Sequence, residues 1–399
     1  MVIPGNVSEI LRRLRSAGYE AYVVGGCVRD SLLDRVPGDW DVCTSALPRE
    51  TEAVFSDLRC IETGIQHGTV TVLLGGDAVE ITTYRTDGVY LDGRHPESVA
   101  FTRSLEEDLA RRDFTCNAMA WDGSGEIIDP FGGRDDLARG LLRCVGEPEQ
   151  RFGEDALRIL RALRFAARYG FTVEERTAEA VHAGKELLAR VSAERICTEL
   201  KGILCAPHAS EIMAQFSDVL FFLLPETGSP EALRSRLPAL CALPADFALR
   251  FAALLRNASA ADSALRRLRA DNDTRLCAVR LCESLALPLP DTAPLLRRRI
   301  AAEGGVQARL SLQLFAAVKP ELRERVETAG ALLEKILTEE SCLGLKALSV
   351  RGGDMAALGA EGTQIGALLQ RLLEAVFDEE VPNDRQALLS LAQSWLLTK

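Results

Sequence analysis

YEAYVVGGCVRDSLLDRVPGDWDVCT, residues 19–44, is the stretch on which the fold turns. Tyr19 to Val24 reads as a buried strand that ends at Gly25-Gly26. Gly25-Gly26-Cys27-Val28-Arg29-Asp30 then opens a helix, where glycines without Cβ let phosphate oxygens approach backbone N–H groups and Arg29 adds a charge-assisted contact. Taken alone, such a turn is more often a tight connection. Gly38-Asp39-Trp40-Asp41-Val42 follows, with Trp40 to Thr44 read as a second strand. Two carboxylates two apart on a strand project from one face, ~6 to 7 Å apart along the chain, and Trp40 turns the other way into packing. That spacing suits two divalent metals ~3.5 to 4 Å apart, one activating an attacking hydroxyl and one holding a triphosphate. A bare pair of aspartates is otherwise a polar strand end; the preceding glycine turn favours the metal reading.

Working outward, Val7, Ile10, Leu11, Leu14 and Ala17 keep helical spacing up to Gly18. Thr69 to Leu74 and Ala78 to Arg85 read as strands joined by Gly75-Gly76-Asp77. In the second of these, Val79 and Ile81 bury one face and turn Glu80 to the other, a third acid able to take a proton or complete a metal shell. An ordinary solvent-facing glutamate is the plainer alternative. After Gly140 the texture changes to Ala, Leu and Arg at helical spacing and stays so to the end. The fold class is therefore α+β: a mixed-sheet unit over 1–139, then helical units that Pro and Gly punctuation divides into 140–206, 207–310 and 311–399.

Composition limits the function. With 399 residues and 47% hydrophobic content, the chain reads as a multidomain globule. It has neither a long uncharged apolar run nor a signal-like start in MVIPGNVSEI, so no membrane partner and a cytoplasmic location are expected. Eleven cysteines without a C-x-x-C pair describe neither a disulfide framework nor a zinc site. A net charge of −11 argues against indiscriminate nucleic-acid binding, so any RNA-facing surface must be a cationic stripe on an acidic body.

Two further segments carry chemistry. In Arg111-Arg112-Asp113-Phe114-Thr115-Cys116-Asn117-Ala118, Arg112 suits a triphosphate, while Asp113 and Asn117 orient the arginine or bind ribose. Glu154 to Phe165 reads as one amphipathic helix, with Leu157, Leu160 and Leu163 on one side and Arg158, Arg161 and Arg164 on another; Asp155 and Arg158 share a face. A surface helix laced with ion pairs is the plainer reading of both. Arg266-Arg267-Leu268-Arg269 and Arg297-Arg298-Arg299 are either phosphate contacts or, more simply, solvated helix faces.

Gly25-Gly-x-Val-Arg-Asp30, Asp39-x-Asp41, Arg112-Asp113-Phe114-Thr115-x-Asn117-Ala118 and Glu154-Asp155-x-x-Arg158-x-x-Arg161 occur in an order that resembles the bacterial tRNA nucleotidyltransferase and poly(A) polymerase family, class II, of the polymerase β superfamily. Val350-Arg351-Gly352-Gly353-Asp354 and Gly366 to Glu374 look like that family's C-terminal helical region. The resemblance implies a polymerase β-like head over 1–139, a neck with a nucleotide-templating helix over 140–206, a body over 207–310 and a tRNA-binding tail over 311–399. It implies an enzyme that adds CCA to tRNA from CTP and ATP without a nucleic-acid template, using two Mg²⁺ and releasing pyrophosphate. An A-adding enzyme or a poly(A) polymerase of the same family is the alternative. Asp39 and Asp41 would bind Mg²⁺, with Glu80 the third carboxylate. Gly25, Gly26, Arg29 and Arg112, with Asp113 and Asn117, would hold the nucleotide. Asp155 and Arg158 would be the amino-acid template, with Arg161 and Arg164 along the same helix. Asp87 to Pro96 looks like the family's flexible loop, implicated in the change from CTP to ATP, with Asp87, Asp92 and Arg94 as its working residues. No His-Asp dipeptide occurs, so the phosphohydrolase domain of some relatives is not expected. Monomer and homodimer both stay open.

Overall fold

The computed structural model describes residues 2–88, 99–339 and 342–397. The chain divides into two compact units, Met1–Arg234 and Ser235–Lys399.

The first unit opens with α1 (Gly5–Ser16), whose Val7, Ile10, Leu11 and Leu14 are buried at the expected helical spacing. There follow β1 (Ala21–Val24), α2 (Gly26–Leu32), β2 (Asp41–Thr44), α3 (Pro48–Val54), β3 (Arg59–Gly64), β4 (Thr69–Leu74), β5 (Asp77–Thr83), β6 (Arg85–Asp87), β7 (Val99–Phe101) and α4 (Leu105–Ala110). Then come β8 (Ala120–Trp121), β9 (Ile127–Ile128), α5 (Gly133–Ala138), β10 (Leu141–Leu142), α6 (Pro148–Glu154), α7 (Leu157–Tyr169), β11 (Thr172–Val173), α8 (Glu175–Ala183) and α9 (Ala193–Leu204). Seven strands form one mixed sheet in the order β3-β4-β5-β2-β1-β8-β9, in which β2 and β5 run parallel and the other pairs antiparallel.

The register brings the chemistry together. Val24, the last residue of β1, lies opposite Asp41, the first of β2, and Asp41 lies opposite Glu80 of β5. On the other side of β1, Val24 pairs with Ala120. The glycine turn, the aspartates and the segment leading into β8 therefore share one edge of the sheet. Val24, Cys43, Tyr84, Leu105, Leu109, Ala118, Ala120 and Val145 pack into a core directly behind that edge.

Three expectations change. The second strand starts at Asp41, so Asp39 and Trp40 precede it; Trp40 is half-buried rather than packed in the core. The helix expected from Glu154 to Phe165 is two helices, because Asp155 is extended (φ −137°, ψ 104°) and its Oδ1 accepts the Leu157 N–H at 3.0 Å, starting a new helix. Beyond Gly140 the chain is not wholly helical either, since β10 and β11 form a short parallel pair. Helix α7 packs on α9, buries Leu160, Leu163 and Ala167, and stops where Gly170 adopts a left-handed conformation (φ 72°).

The described residues of the second unit are helical. Phe247–Leu255 is buried along its whole length, Arg250 included, whose guanidinium donates to the Pro244 and Leu243 carbonyls. Nearer the C-terminus, Leu348, Met355, Leu372, Leu373, Phe377 and Leu388 build a separate small core.

Candidate active site

At the sheet edge, Gly25 caps α2 with φ +76°, and a Cβ there would lie 2.9 Å from Arg112 Nη1. The backbone conformation thus favours glycine, and any side chain there would push the Arg112 guanidinium from its seat. Asp39 is exposed and Asp41 partly buried. Burial and then the Asp39 charge push Asp41 up to about 6; Arg112 pulls it back and Glu80 adds to the rise. Asp41 thus feels two neighbouring carboxylates with a single arginine as counterweight, an excess of hard oxygen donors that a divalent cation would relieve. Among the described residues no group of three or more His, Cys, Asp or Glu is placed to hold a metal ion. A pair of carboxylates with the rest of the shell left to substrate phosphates fits that arrangement, and it is how Mg²⁺ is commonly held.

Behind the edge sits Asp108, fully buried, which accepts from Arg111 at 2.8 Å, from Arg112 Nη2 at 3.3 Å and from the Arg85 N–H at 3.3 Å. This carboxylate anchors Arg112 from behind; the buried Arg112 Nε has no hydrogen-bond partner among the described residues. Next to it, Asp113 accepts from Asn117 Nδ2 at 3.0 Å and from Arg161 Nε at 2.9 Å. Burial works to raise Asp113, but Arg161, the Asn117 hydrogen bond and Arg158 hold it down at about 2. Asn117 Oδ1 accepts from Arg29 Nη1 at 2.6 Å. Arg29 is itself buried, bonded to Asp30 and lodged 5.0 Å from the Phe165 ring centre and 4.8 Å from that of Tyr169.

Helix α7 supplies the opposite wall. The side chains of Asp155 and Arg158 do not pair with each other. Asp155 Oδ2 accepts from Arg195 of α9 at 2.9 Å, and Arg158 donates to Glu154 at 2.7 Å and to the Arg111 carbonyl at 3.0 Å. Arg164 donates to Glu199 at 2.5 Å, and its stem lies where Gly202 leaves room: a Cβ there would be 2.5 Å from Arg164 Cδ.

These walls enclose a cleft of about 460 Å³ lined by Gly25, Gly26, Arg29, Asp39, Asp41, Arg111, Arg112, Asp113, Asn117, Asp155, Leu157, Arg158, Arg161, Arg164, Phe165, Arg168 and Arg195. Eight of those residues are arginines and four are aspartates. In a chain of net charge −11, this is the local cationic surface that a polyanionic substrate requires.

Residues 21–143 match a family profile described as the poly A polymerase head domain, and residues 170–227 one described as a probable RNA and SrmB-binding site of polymerase A. A CCA-adding enzyme of Lactiplantibacillus plantarum is 34% identical over 392 residues, covering 96% of this chain and 94% of that protein. The chain belongs to the family of CCA-adding enzymes. A CCA-adding enzyme of Geobacillus thermodenitrificans is 51% identical over 231 residues, and there the chain spans about half, 54%, of the relative's length. The crystal structure of the Bacillus stearothermophilus CCA-adding enzyme in complex with CTP superposes with a TM-score of 0.83 at 32% identity, over 98% of this chain and 97% of that one.

In this member of the CCA-adding family, the cleft gathers every nucleotide-site residue expected from sequence together with Asp39 and Asp41. Glu80 stands beside Asp41 on β5 but is not among the lining residues. Asp92 and Arg94 lie outside the described residues, as does the side chain of Asp87, whose backbone belongs to β6. Sequence reasoning missed Arg111, Arg168 and Arg195. Arg168 continues the helical spacing of the α7 row and was open to discovery that way. Arg195 was not: it is forty positions from Asp155, and nothing local marks it as a partner.

Proposed function

We propose that this protein completes the 3′ end of tRNA, adding C, C and A from CTP and ATP with release of pyrophosphate. The observation that carries this reading is the meeting, in one arginine-lined cleft, of the Asp39/Asp41 edge with Asp155 and Arg158 at the start of α7. The names of the relatives and the CTP held by the Bacillus stearothermophilus structure support it. In the reaction the 3′ hydroxyl gives its proton to one of the site's carboxylates as its oxygen bonds to the α-phosphorus, the bond from that phosphorus to the bridging oxygen breaks, and pyrophosphate leaves. Asp39 and Asp41 are the residues that would hold Mg²⁺, two ions in this reading, with Glu80 as the third carboxylate. A bound divalent cation supplies positive charge to the attacking hydroxyl and to the leaving phosphates.

Arg112, braced by Asp108, holds the triphosphate beside Gly25-Gly26. Asp155 accepts from the exocyclic amine of C or A, and Arg158 donates to a neighbouring ring acceptor. Uracil and guanine present a carbonyl where that amine should be, which sets oxygen against carboxylate. In the same reading the segments 140–206, 207–310 and 311–399 are the neck, body and tail that hold the tRNA. The test is to incubate the protein and Mg²⁺ with tRNA lacking its last three nucleotides, supply CTP, ATP, both, or UTP and GTP, and sequence the 3′ ends. Two Cs and one A followed by arrest is the expected product. Addition of A only to CC-ended tRNA would mean a divided pathway, and long A tails a poly(A) polymerase.

A further inference from the structure

Asp30 and Tyr169 touch the cleft's architecture without a part in the reaction as proposed. The Tyr169 hydroxyl donates to Asp30 Oδ1 at 2.8 Å, and the same oxygen accepts from Arg29 Nε at 2.9 Å and pairs with its Nη2 at 2.8 Å. Arg29 Nη1 continues to Asn117, Asn117 to Asp113, and Asp113 to Arg161. The circuit leaves α7 at Tyr169 and returns to it at Arg161, passing through α2 and the 113–117 turn. Asp30, Arg29, Asn117 and Asp113 are all buried. Such a chain admits one arrangement: the Asn117 amide must give its oxygen to Arg29 and its nitrogen to Asp113, so a flip breaks both contacts at once.

We propose that Tyr169, acting through Asp30, is a positioning residue. The circuit fixes the arginine row of α7 against the sheet edge that carries the glycine turn and the aspartates, and so sets affinity for the nucleoside triphosphate. This rests on the nucleotidyl transfer proposed above.

Tyr169→Phe isolates the effect, because the ring keeps its stacking on Phe165 and Phe171 and its place against Arg29 while only the hydroxyl is lost. The measurements are KM for CTP, ATP and tRNA, kcat, the Kd for CTP without tRNA, and the melting temperature. Loss of a partly buried hydrogen bond to a charged group should raise KM for both nucleotides and the CTP Kd about 3- to 10-fold. KM for tRNA should stay near the parent value while the melting temperature falls by no more than a few degrees, and Asp30→Asn should shift the same nucleotide constants in the same direction. Unchanged nucleotide KM and Kd in Tyr169→Phe, or a fall in melting temperature and kcat alone, would overturn the proposal, since packing alone predicts the latter. If the parent protein extends no tRNA, the functional reading fails and this proposal with it; if the parent extends tRNA and Tyr169→Phe matches it, this proposal alone fails.

Discussion

Two helices carry rows of arginines and use them in opposite ways. On α7, Arg158, Arg161, Arg164 and Arg168 are spaced by three or four and all face one cleft. On the helix Ala293–Glu303 of the second unit, Arg297, Arg298 and Arg299 are consecutive. Each step along a helix turns a side chain by about 100°, so three consecutive arginines fan apart whereas arginines three or four apart form a stripe. Arg297 reaches the Phe377 carbonyl and Glu379, Arg298 reaches Glu374 and Asp378, and Arg299 reaches Glu303 and Ser284. These are staples to the C-terminal end of the helix Thr363–Phe377 and the residues just after it, to the helix Asn272–Ala286 and within their own helix. A freely solvated face does not describe them, since the Arg297 and Arg299 side chains are only 11% exposed and Arg298 is held in two ion pairs. Arginines at helical spacing thus share one cleft, whereas consecutive ones are spread over separate partners.

The comparison breaks first if the cleft is not the reaction centre. Asp41→Ala or Asp39→Ala should abolish nucleotide incorporation while leaving tRNA binding by filter retention or gel shift intact; retained turnover with Mg²⁺ would detach the α7 row from any metal-dependent chemistry. Next, Asp155→Ala or Arg158→Ala should lower the preference for CTP and ATP over UTP and GTP by about 10- to 100-fold, the worth of one lost base-edge contact. Primer extension with each triphosphate alone reads this, and unaltered selectivity would reduce α7 to a phosphate clamp.

A smaller effect separates the two rows by pH. Asp113, the carboxylate behind Arg161, is held at about 2, below the ordinary aspartate value of 3.8. Because its folded value is depressed, its contribution to stability is full above about pH 4 and fades as pH falls towards 2. The denaturation midpoint of Asp113→Asn should thus lie below the parent's at neutral pH and converge on it across that window; a constant gap would assign the loss to packing. The smallest effect is expected for Arg298→Ala. Its partly exposed pairs with Glu374 and Asp378 contribute about 1 kcal/mol or less, so melting should shift slightly and nucleotide KM not at all. A raised KM there would erase the distinction between the rows.

How far the sequence could be read follows from what is periodic in it. The strands Thr69–Leu74 and Ala21–Val24, the outward turn of Glu80 between Val79 and Ile81, and the apolar face of α1 are all matters of period and turn chemistry. The break at Asp155 was not legible, because Leu157 to Phe165 keeps helical spacing whether or not the residues before it belong to the same helix. Only the extended backbone and the bond from Asp155 to the Leu157 N–H separate the two. The strand order, with β2 lying between β1 and β5, is likewise a pairing between segments far apart in the chain.

By itself, then, the sequence determined the α+β division, the positions of Asp39 and Asp41 beside a glycine turn, and a stripe of arginines on one helix, since each is written in local spacing. Tertiary structure decided what each of those groups faces: Asp41 beside Glu80, Arg161 on Asp113, Asp155 on Arg195, Arg29 between Asp30 and Asn117. Hydrogen-bond partners buried together are chosen by packing, and nothing in the spacing of residues dozens of positions apart names the partner.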